Sequence, residues 1–257
     1  MELIDTHCHL TFEQLSDDIE AVLARSVVAG VASWITVGTD PQQNRKAVDL
    51  ADKFKNMYAA VGIHPHDARD VIPDTLIELK ELAREEKVVA LGETGLDFHY
   101  NFSCQSDQKQ AFAAQLKIAK ELNLPVIIHC REAFDETMEI LDEYCRGLRS
   151  VVFHCFSGSA EQAKIILDYG FYISFTGVVT FKNAELIRNA ARIIPVDKLM
   201  LETDCPYMSP EPMRKQKINE PALMIHTARY LAELKQMDLT DFANTVTATS
   251  KSFFDLP

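Results

Sequence analysis

The chain has 257 residues, of which 47% are hydrophobic and 25% are charged. This composition is typical of a globular domain, and no stretch approaches the roughly 20 apolar residues of a membrane span. The N-terminal residues are neither basic nor arranged as a signal peptide, so we expect a cytoplasmic protein without membrane attachment.

The formal net charge of −12 argues against a long surface that binds duplex nucleic acid nonspecifically. A nucleic-acid enzyme is still compatible with this charge, because bound metal ions can supply positive charge locally. The six cysteines include no CxxC pair, and four of them stand directly beside a candidate metal ligand. Neighbouring side chains in a strand point to opposite faces, so we expect reduced thiols packed away from the site.

Strand-like and helix-like segments alternate along the chain. Apolar runs typical of strands cover residues 3–7, 33–37, 57–61, 88–91, 126–129, 151–154, 171–175 and 198–201. Helices are predicted over residues 12–29, 41–55, 74–86, 106–122, 133–145, 160–169, 184–193, 221–235 and 240–254. Alternation of this kind predicts an α/β protein, with residues 1–257 forming a single (β/α)₈ TIM barrel domain. An open doubly wound sheet is the structural alternative.

Residues that bind divalent metals stand at the ends of five apolar runs. They are His7 and His9, Glu93, His129, His154 and Asp204. A barrel gathers the C-terminal ends of its strands at one place, which an open sheet would not easily do for strands 1, 4, 5, 6 and 8. The pattern therefore favours a barrel with a metal site, and its four imidazoles suit zinc, manganese or cobalt better than magnesium.

Two acidic residues near these candidates receive supporting roles. His7 and His9 are one residue apart, so in an extended strand both imidazoles lie on one face. Asp5, two residues earlier, is expected to anchor the ring of a ligand histidine. Glu202 alternates with Asp204 and is expected to support the site rather than to bind metal.

The longest irregular segment, residues 203–218, follows the eighth predicted strand. It carries the basic residues Arg214, Lys215 and Lys217, which are either nucleic-acid contacts or a solvated loop. After it, Asn219 is expected to cap a helix that has Pro221 in its first turn.

Short motifs in chain order connect these residues to a known family. They are Asp5-Thr6-His7-Cys8-His9-Leu10, Gly62-Ile63-His64-Pro65-His66, Gly92-Glu93-Thr94-Gly95-Leu96-Asp97, Pro125-Val126-Ile127-Ile128-His129-Cys130-Arg131, His154-Cys155-Phe156-Ser157-Gly158, Leu201-Glu202-Thr203-Asp204-Cys205-Pro206 and Asn219-Glu220-Pro221. Together they resemble the successive motifs of TatD-type metal-dependent deoxyribonucleases of the amidohydrolase-like superfamily, and they span nearly the whole chain.

The resemblance implies a site with two divalent ions, either magnesium, manganese or zinc. The implied ligands are His7, His9 and Asp204 for one ion, His129 and His154 for the other, and Glu93 as a bridge between them. It also implies three catalytic residues. Asp204 would orient or deprotonate the attacking water, His64 would contact the scissile phosphate, and Glu93 would hold both ions. Arg131 would contribute to the substrate site.

The function implied is hydrolysis of phosphodiester bonds in DNA, as a 3′-to-5′ exonuclease on single-stranded or frayed ends. DNA would be the substrate, and neither a membrane nor an obligatory protein partner is indicated. The alternative enzyme is an amidohydrolase-like hydrolase of amide or ester bonds in a small molecule. A non-catalytic, metal-stabilised binding protein is the third possibility.

The chain departs from the family pattern at two places. The family usually has an arginine before Asn-Glu-Pro, where Ile218 stands here. Its C-terminal Thr-x-Asn-x-x-Arg-Leu-Phe pattern has Thr249 and Ser252 in place of the asparagine and the arginine. These departures predict a family member that binds its substrate differently from the other members.

Overall fold

Eight β-strands alternate with helices over residues 2–144 and 146–257, the part of the chain that this computed structural model describes. The strands are β1 (Leu3–Cys8), β2 (Val31–Val37), β3 (Met57–Val61), β4 (Val88–Asp97), β5 (Val126–Arg131), β6 (Val151–Phe153), β7 (Tyr172–Phe175) and β8 (Leu199–Leu201). Each predicted strand is present, although several have different ends.

The helices lie between and after the strands. They are α1 (Glu13–Ser16), α2 (Ile19–Val28), α3 (Pro41–Lys53), α4 (Pro73–Leu82), α5 (Gln105–Leu122), α6 (Phe134–Tyr144), α7 (Ala160–Asp168), α8 (Glu185–Ile193), α9 (Met224–Leu234) and α10 (Leu239–Phe254). Short 3₁₀ helices cover Pro65–Asp70, Gly177–Thr180, Val196–Lys198 and Pro221–Leu223. The helix predicted over residues 133–145 ends at Cys145, which lies outside the described residues.

The described chain forms two compact units. The first contains the residues up to Thr36 and those from Cys155 onward. Within it, β7 pairs with β8 and β1 pairs with β2, both in parallel. The last strand lies beside the first, since the hydroxyl of Thr6 in β1 donates to the carbonyl oxygen of Leu201 in β8 at 2.9 Å. Adjacency of the first and last strands is expected of a barrel and not of a doubly wound sheet.

The second unit, Val37–His154, contains β3 to β6 in chain order, all parallel. Helix α5 packs on β4 and buries Phe112 and Leu116. The prediction that residues 1–257 form one domain stays a prediction.

Two predicted boundaries are wrong for identifiable reasons. The helix predicted over residues 12–29 is broken into α1 and α2, because Asp18 leaves the helical region (φ −134°, ψ 39°) in a run of residues that disfavour helix interiors. Strand β4 does not end at residue 91 but continues through the glycines. Gly95 has φ +137°, and a Cβ there would lie 2.0 Å from the carbonyl oxygen of His129, so only glycine fits this close approach.

Within the described residues, no helix is both long and apolar enough to span a membrane. The cytoplasmic location stays a prediction. Of the six cysteines, Cys145 is not described, and the other five, Cys8, Cys104, Cys130, Cys155 and Cys205, are free thiols.

Candidate metal centre

The first cluster of candidate ligands consists of His7, His9 and Asp204, all in the first unit. His7 lies in β1, His9 follows that strand, and Asp204 lies shortly after β8. The backbone N–H of Asp204 donates to the carbonyl oxygen of His7, and that of His9 donates to the carbonyl oxygen of Cys205, both at 2.9 Å. The backbone pairing between these segments therefore sets the three side chains next to one another.

The spacing of the ligand atoms in the first cluster suits one ion. The Nε2 atoms of His7 and His9 are 3.3 Å apart, and the Oδ1 atom of Asp204 lies 3.8 Å from the former and 3.3 Å from the latter. Ligands at about 2.0–2.1 Å from a tetrahedral zinc ion are about 3.3–3.4 Å from one another. Asp204 also has φ 51°, a left-handed conformation that costs a non-glycine residue free energy and that is concentrated at functional sites.

Asp5 stabilises the segment that carries Asp204. Its Oδ1 atom accepts from the backbone N–H of Thr203 at 3.0 Å, and its Oδ2 atom accepts from the Thr203 hydroxyl at 2.6 Å. Burial raises the pKa of this carboxyl to about 7, against the hydrogen bonds from Thr203. The prediction that Asp5 anchors a ligand histidine ring is wrong, because its carboxylate holds the chain after β8 instead.

Asn219 is not the helix cap that the sequence predicts. Its amide nitrogen donates to the carbonyl oxygens of Thr203 at 3.0 Å and of Tyr207 at 2.7 Å, and the side chain is fully buried. The 3₁₀ helix Pro221–Leu223 starts after Glu220 without a side-chain cap. Asn219 thus ties the irregular loop to the segment beside Asp204, a role that a local cap motif could not reveal.

Glu202 is buried and bound by two neighbours. Its Oε1 atom accepts from the backbone N–H of Cys155 at 2.5 Å, and its Oε2 atom accepts from the Ser174 hydroxyl at 2.8 Å. That Glu202 supports the site rather than binds metal stays a prediction.

The second cluster consists of His64, Glu93, His129 and His154, all in the second unit. Glu93 lies in β4, His129 in β5, and the other two follow β3 and β6. Three histidine nitrogens surround a single carboxylate oxygen, Oε1 of Glu93. The distances are 2.7 Å to Nδ1 of His129, 2.7 Å to Nε2 of His154 and 3.4 Å to Nε2 of His64. Ligand atoms of His64, Glu93 and His129 all lie within 4.8 Å of one another.

Both ring nitrogens of His129 face carboxylates. Nε2 lies 3.1 Å from Oδ2 of Asp97, while Nδ1 faces Glu93. A neutral ring that donates from Nε2 has a lone pair at Nδ1, so two acceptors would face each other at 2.7 Å. Either a proton shared by the two atoms or a metal ion bound by both of them removes this repulsion. The donor set of the second cluster therefore fits a bound divalent ion.

The electrostatics of the second cluster follow from this arrangement. Burial alone would raise the pKa of Glu93, but the neighbouring imidazoles of His154 and His64 and the hydrogen bond from His129 hold it well below its usual range. Burial would likewise lower the pKa of His129, yet the hydrogen bonds to Asp97 and Glu93 raise it. The carboxylate of Glu93 is thus ionised at neutral pH and available to a cation.

His64 differs from the other histidines of the second cluster. Its Nδ1 atom accepts a hydrogen bond from the backbone N–H of His66 at 3.1 Å, so its proton lies on Nε2. Burial lowers the pKa of this ring to about 4, so it is neutral at pH 7. A neutral ring with Nε2–H is a hydrogen-bond donor and not a metal ligand at that atom. The phosphate contact predicted for His64 stays a prediction.

Three buried amide side chains, which the sequence did not single out, hold the strand ends around the second cluster. Each both donates to and accepts from the backbone of one residue, at 2.8–3.0 Å. The pairs are Asn44 with Gly62, Gln115 with Ile63, and Gln108 with Asp97. The only signal in the sequence is that Gln108 and Gln115 are seven residues apart in α5, and so share its buried face.

The predicted substrate-binding residues other than His64 lie outside both clusters. Arg131 ends β5, is exposed, and has its guanidinium carbon 4.7 Å from the ring centre of Tyr100. Arg214, Lys215 and Lys217 are exposed in the loop after β8, and the guanidinium carbon of Arg214 lies 3.8 Å from the ring centre of Phe181. Their contact with a substrate stays a prediction.

Residues 4–255 match the family described as TatD related DNase. The chain belongs to this family. It is 41% identical to an uncharacterized metal-dependent hydrolase, YabD, of Bacillus subtilis, over 98% of each chain. It is 36% identical to the 3′-5′ ssDNA/RNA exonuclease TatD of Escherichia coli, over 99% of each chain. The predicted resemblance to TatD enzymes is confirmed.

Among solved structures, YjjV, a TatD homologue of Escherichia coli, superposes with a TM-score of 0.93 at 32% identity. The match covers 99% of this chain and 98% of the other. The predicted fold class, a (β/α)₈ barrel of the metal-dependent hydrolase type, is thereby confirmed.

Proposed function

We propose that this protein is a metal-dependent phosphodiesterase that removes nucleotides from the 3′ ends of single-stranded or frayed DNA. The observation that carries the proposal is the second cluster, where three histidines surround one oxygen of Glu93 in a member of the TatD related DNase family. The 36% identical relative that is named a 3′-5′ ssDNA/RNA exonuclease supports the substrate class and the polarity.

Two divalent ions, either magnesium, manganese or zinc, would be bound. His7, His9 and Asp204 would hold one of them, and Glu93 would hold the other with two histidines, His129 and His154. That Glu93 bridges both ions stays a prediction of the family resemblance. When bound, such ions neutralise the phosphodiester, polarise its phosphorus–oxygen bonds and make water a stronger acid.

The protein's own side chains have separable tasks in this reaction. The carboxylate of Asp204 would orient the attacking water and accept its proton. His64 would donate from Nε2–H to an oxygen of the scissile phosphate, because its proton is fixed on that nitrogen and its low pKa keeps the ring neutral. Asp97 would hold the ring of His129 by accepting from Nε2–H.

Hydrolysis of amide or ester bonds in a small molecule is not favoured. The family is described as a DNase, and one relative that matches nearly the whole chain is named a nucleic-acid exonuclease. Another such relative is named only a metal-dependent hydrolase.

The test uses the metal-loaded protein and oligonucleotides labelled at either end. A 5′-labelled single strand should give a ladder that shortens with time, whereas a 3′-labelled strand should release the label as a mononucleotide at once. A blunt duplex should be cut more slowly than the single strand. Earlier release of a labelled mononucleotide from the 5′-labelled strand would show that digestion runs in the opposite direction. Absence of cleavage with magnesium, manganese and zinc would refute the proposal.

A further inference from the structure

Two aromatic side chains that follow β4 are unusually exposed. Tyr100 and Phe102 have 49% and 56% of their surface accessible. Their rings are nearly parallel, with an angle of 6° between the planes and 5.5 Å between the centres. Large aromatic side chains ordinarily contribute to protein cores, so a parallel pair held on the surface indicates a binding surface.

This pair is tied directly to the second cluster. The ring of His66 lies edge-on to both, with its centre 5.5 Å from that of Tyr100 and 4.8 Å from that of Phe102. The Nε2 atom of His66 is 3.0 Å from Oδ2 of Asp97, and the same oxygen lies 3.1 Å from Nε2 of His129. One carboxylate oxygen thus connects the exposed rings with a candidate metal ligand.

A cation completes the surface. The guanidinium of Arg131 lies 4.7 Å from the centre of the Tyr100 ring, two positions after His129 in β5. A guanidinium beside an aromatic ring can stack with a base or bind a phosphate. Nearby, Oε1 of Glu132 lies 2.7 Å from Nδ1 of His99.

We propose that Tyr100 and Phe102 form a stacking site for an unpaired nucleobase of the strand being cut, with Arg131 beside the adjoining phosphate. The proposal rests on the function proposed above and extends it. Every base has a π-face, so such a site accepts any sequence. A base in a duplex is already stacked and paired, so the site selects single-stranded or frayed ends. An apolar protein partner would not need the cation or the connection through Asp97 to the metal ligands.

The experiment compares two single-stranded substrates that differ only in the nucleotides near the 3′ end, which are either normal or abasic. Base stacking on an aromatic side chain typically changes affinity by about fivefold to 150-fold per base. We expect wild-type protein to prefer the normal substrate by about tenfold or more in kcat/KM, chiefly through KM. The double variant Tyr100→Leu/Phe102→Leu replaces the two rings with apolar side chains that have no π-face. It should reduce that preference to less than about threefold.

The matched control is Tyr169→Leu, which removes an exposed tyrosine at the end of α7, with 39% of its surface accessible. This variant should keep the wild-type preference. An active double variant that keeps the full preference for normal bases would overturn the stacking site and leave the proposed function standing.

A binding measurement separates the two proposals if wild-type protein cuts neither substrate. An oligonucleotide with 2-aminopurine at its 3′ end should lose fluorescence on binding metal-loaded wild-type protein and not on binding the double variant. That result would support the stacking site although the nuclease had failed. Equal quenching by both proteins, or by neither, would overturn it.

Discussion

The two clusters of candidate ligands are held in different ways. In the first cluster, His7, His9 and Asp204 are brought together by hydrogen bonds between their own backbone segments. In the second, the ligand rings and strand ends depend on side chains, namely the Asp97 carboxylate and the three buried amides. Side chains also support the first cluster, because Asp5 and Asn219 bind Thr203 beside Asp204. In the second cluster, however, the supporting carboxylate of Asp97 contacts a ligand ring itself. Metal binding at the second cluster should therefore be the more sensitive of the two to loss of a supporting carboxylate.

The largest effect is expected from Glu93→Gln. A neutral amide cannot balance the histidine-rich second cluster or a divalent ion, so this variant should lose the metal of that cluster and all measurable turnover. Metal content by mass spectrometry and cleavage of a labelled strand check the prediction. The control is Glu86→Gln on the surface, which should match wild type. Full metal content with full activity in Glu93→Gln would remove this residue from the site.

Asp204→Asn should separate chemistry from metal binding. The amide retains an oxygen that can bind a metal but cannot accept a proton, so the rate should fall by about 10²–10⁴-fold while much of the metal stays bound. The measurement is kcat at saturating metal. A loss of less than about tenfold would exclude Asp204 as the general base.

Asp97→Asn tests the contrast between the clusters directly. Replacing an outer carboxylate partner of a ligand histidine typically costs about 10–100-fold in metal affinity or activity. Titration with a divalent metal should show weaker binding at the second cluster and unchanged binding at the first. Equal weakening at both clusters would show that Asp97 acts through general stability and not through His129.

Acid pH should abolish activity through the ligands. Only the neutral imidazole binds metal, so protonation of the ligand histidines as the pH falls releases the ion and lowers the rate. An unperturbed imidazole has a pKa of about 6.5. The pKa of His129 is raised in spite of its burial by the hydrogen bonds to Asp97 and Glu93, so this ring is protonated at a higher pH. His64 should not contribute between pH 5 and 8, because burial lowers its pKa to about 4. Added metal competes with protons and should move the decline in rate to lower pH. If the rate declined at the same pH whatever the metal concentration, a group other than the ligand histidines would be responsible for the decline.

The smallest effect is expected from the combined substitution Arg214→Ala/Lys215→Ala/Lys217→Ala. These exposed residues would contribute phosphate contacts, each worth about 0.7 in the slope of log affinity against log salt for a single strand. Loss of three contacts should raise KM and flatten the slope by about 2, with little change in kcat. An unchanged slope would identify the loop as solvated surface.

The sequence revealed the parts of the site that are encoded locally. Each candidate ligand stands at or near the end of an apolar run, so strand positions and candidate ligands are readable together. The partners of the supporting side chains were not readable, because these contacts join residues far apart in the chain. Gln115 binds the backbone of Ile63, 52 positions away, and Asp5 binds Thr203, 198 positions away. Only the folded chain shows that Asp97, and not Asp5, holds a ligand ring.

The exposed rings after β4 illustrate the same limit. Tyr100 and Phe102 alternate in sequence as a pair of strand or core residues would, and nothing local marks them as exposed. Their parallel arrangement and their connection to Asp97 through His66 depend on the loop conformation and on the 3₁₀ helix Pro65–Asp70.

The most direct test of the account is a crystal structure of the protein grown with manganese, with ions located by anomalous scattering. The account predicts two manganese ions, one bound by His7, His9 and Asp204 and the other by Glu93, His129 and His154, with His64 outside the ligand shell of both. A single ion, or an ion bound through Nε2 of His64, would contradict it.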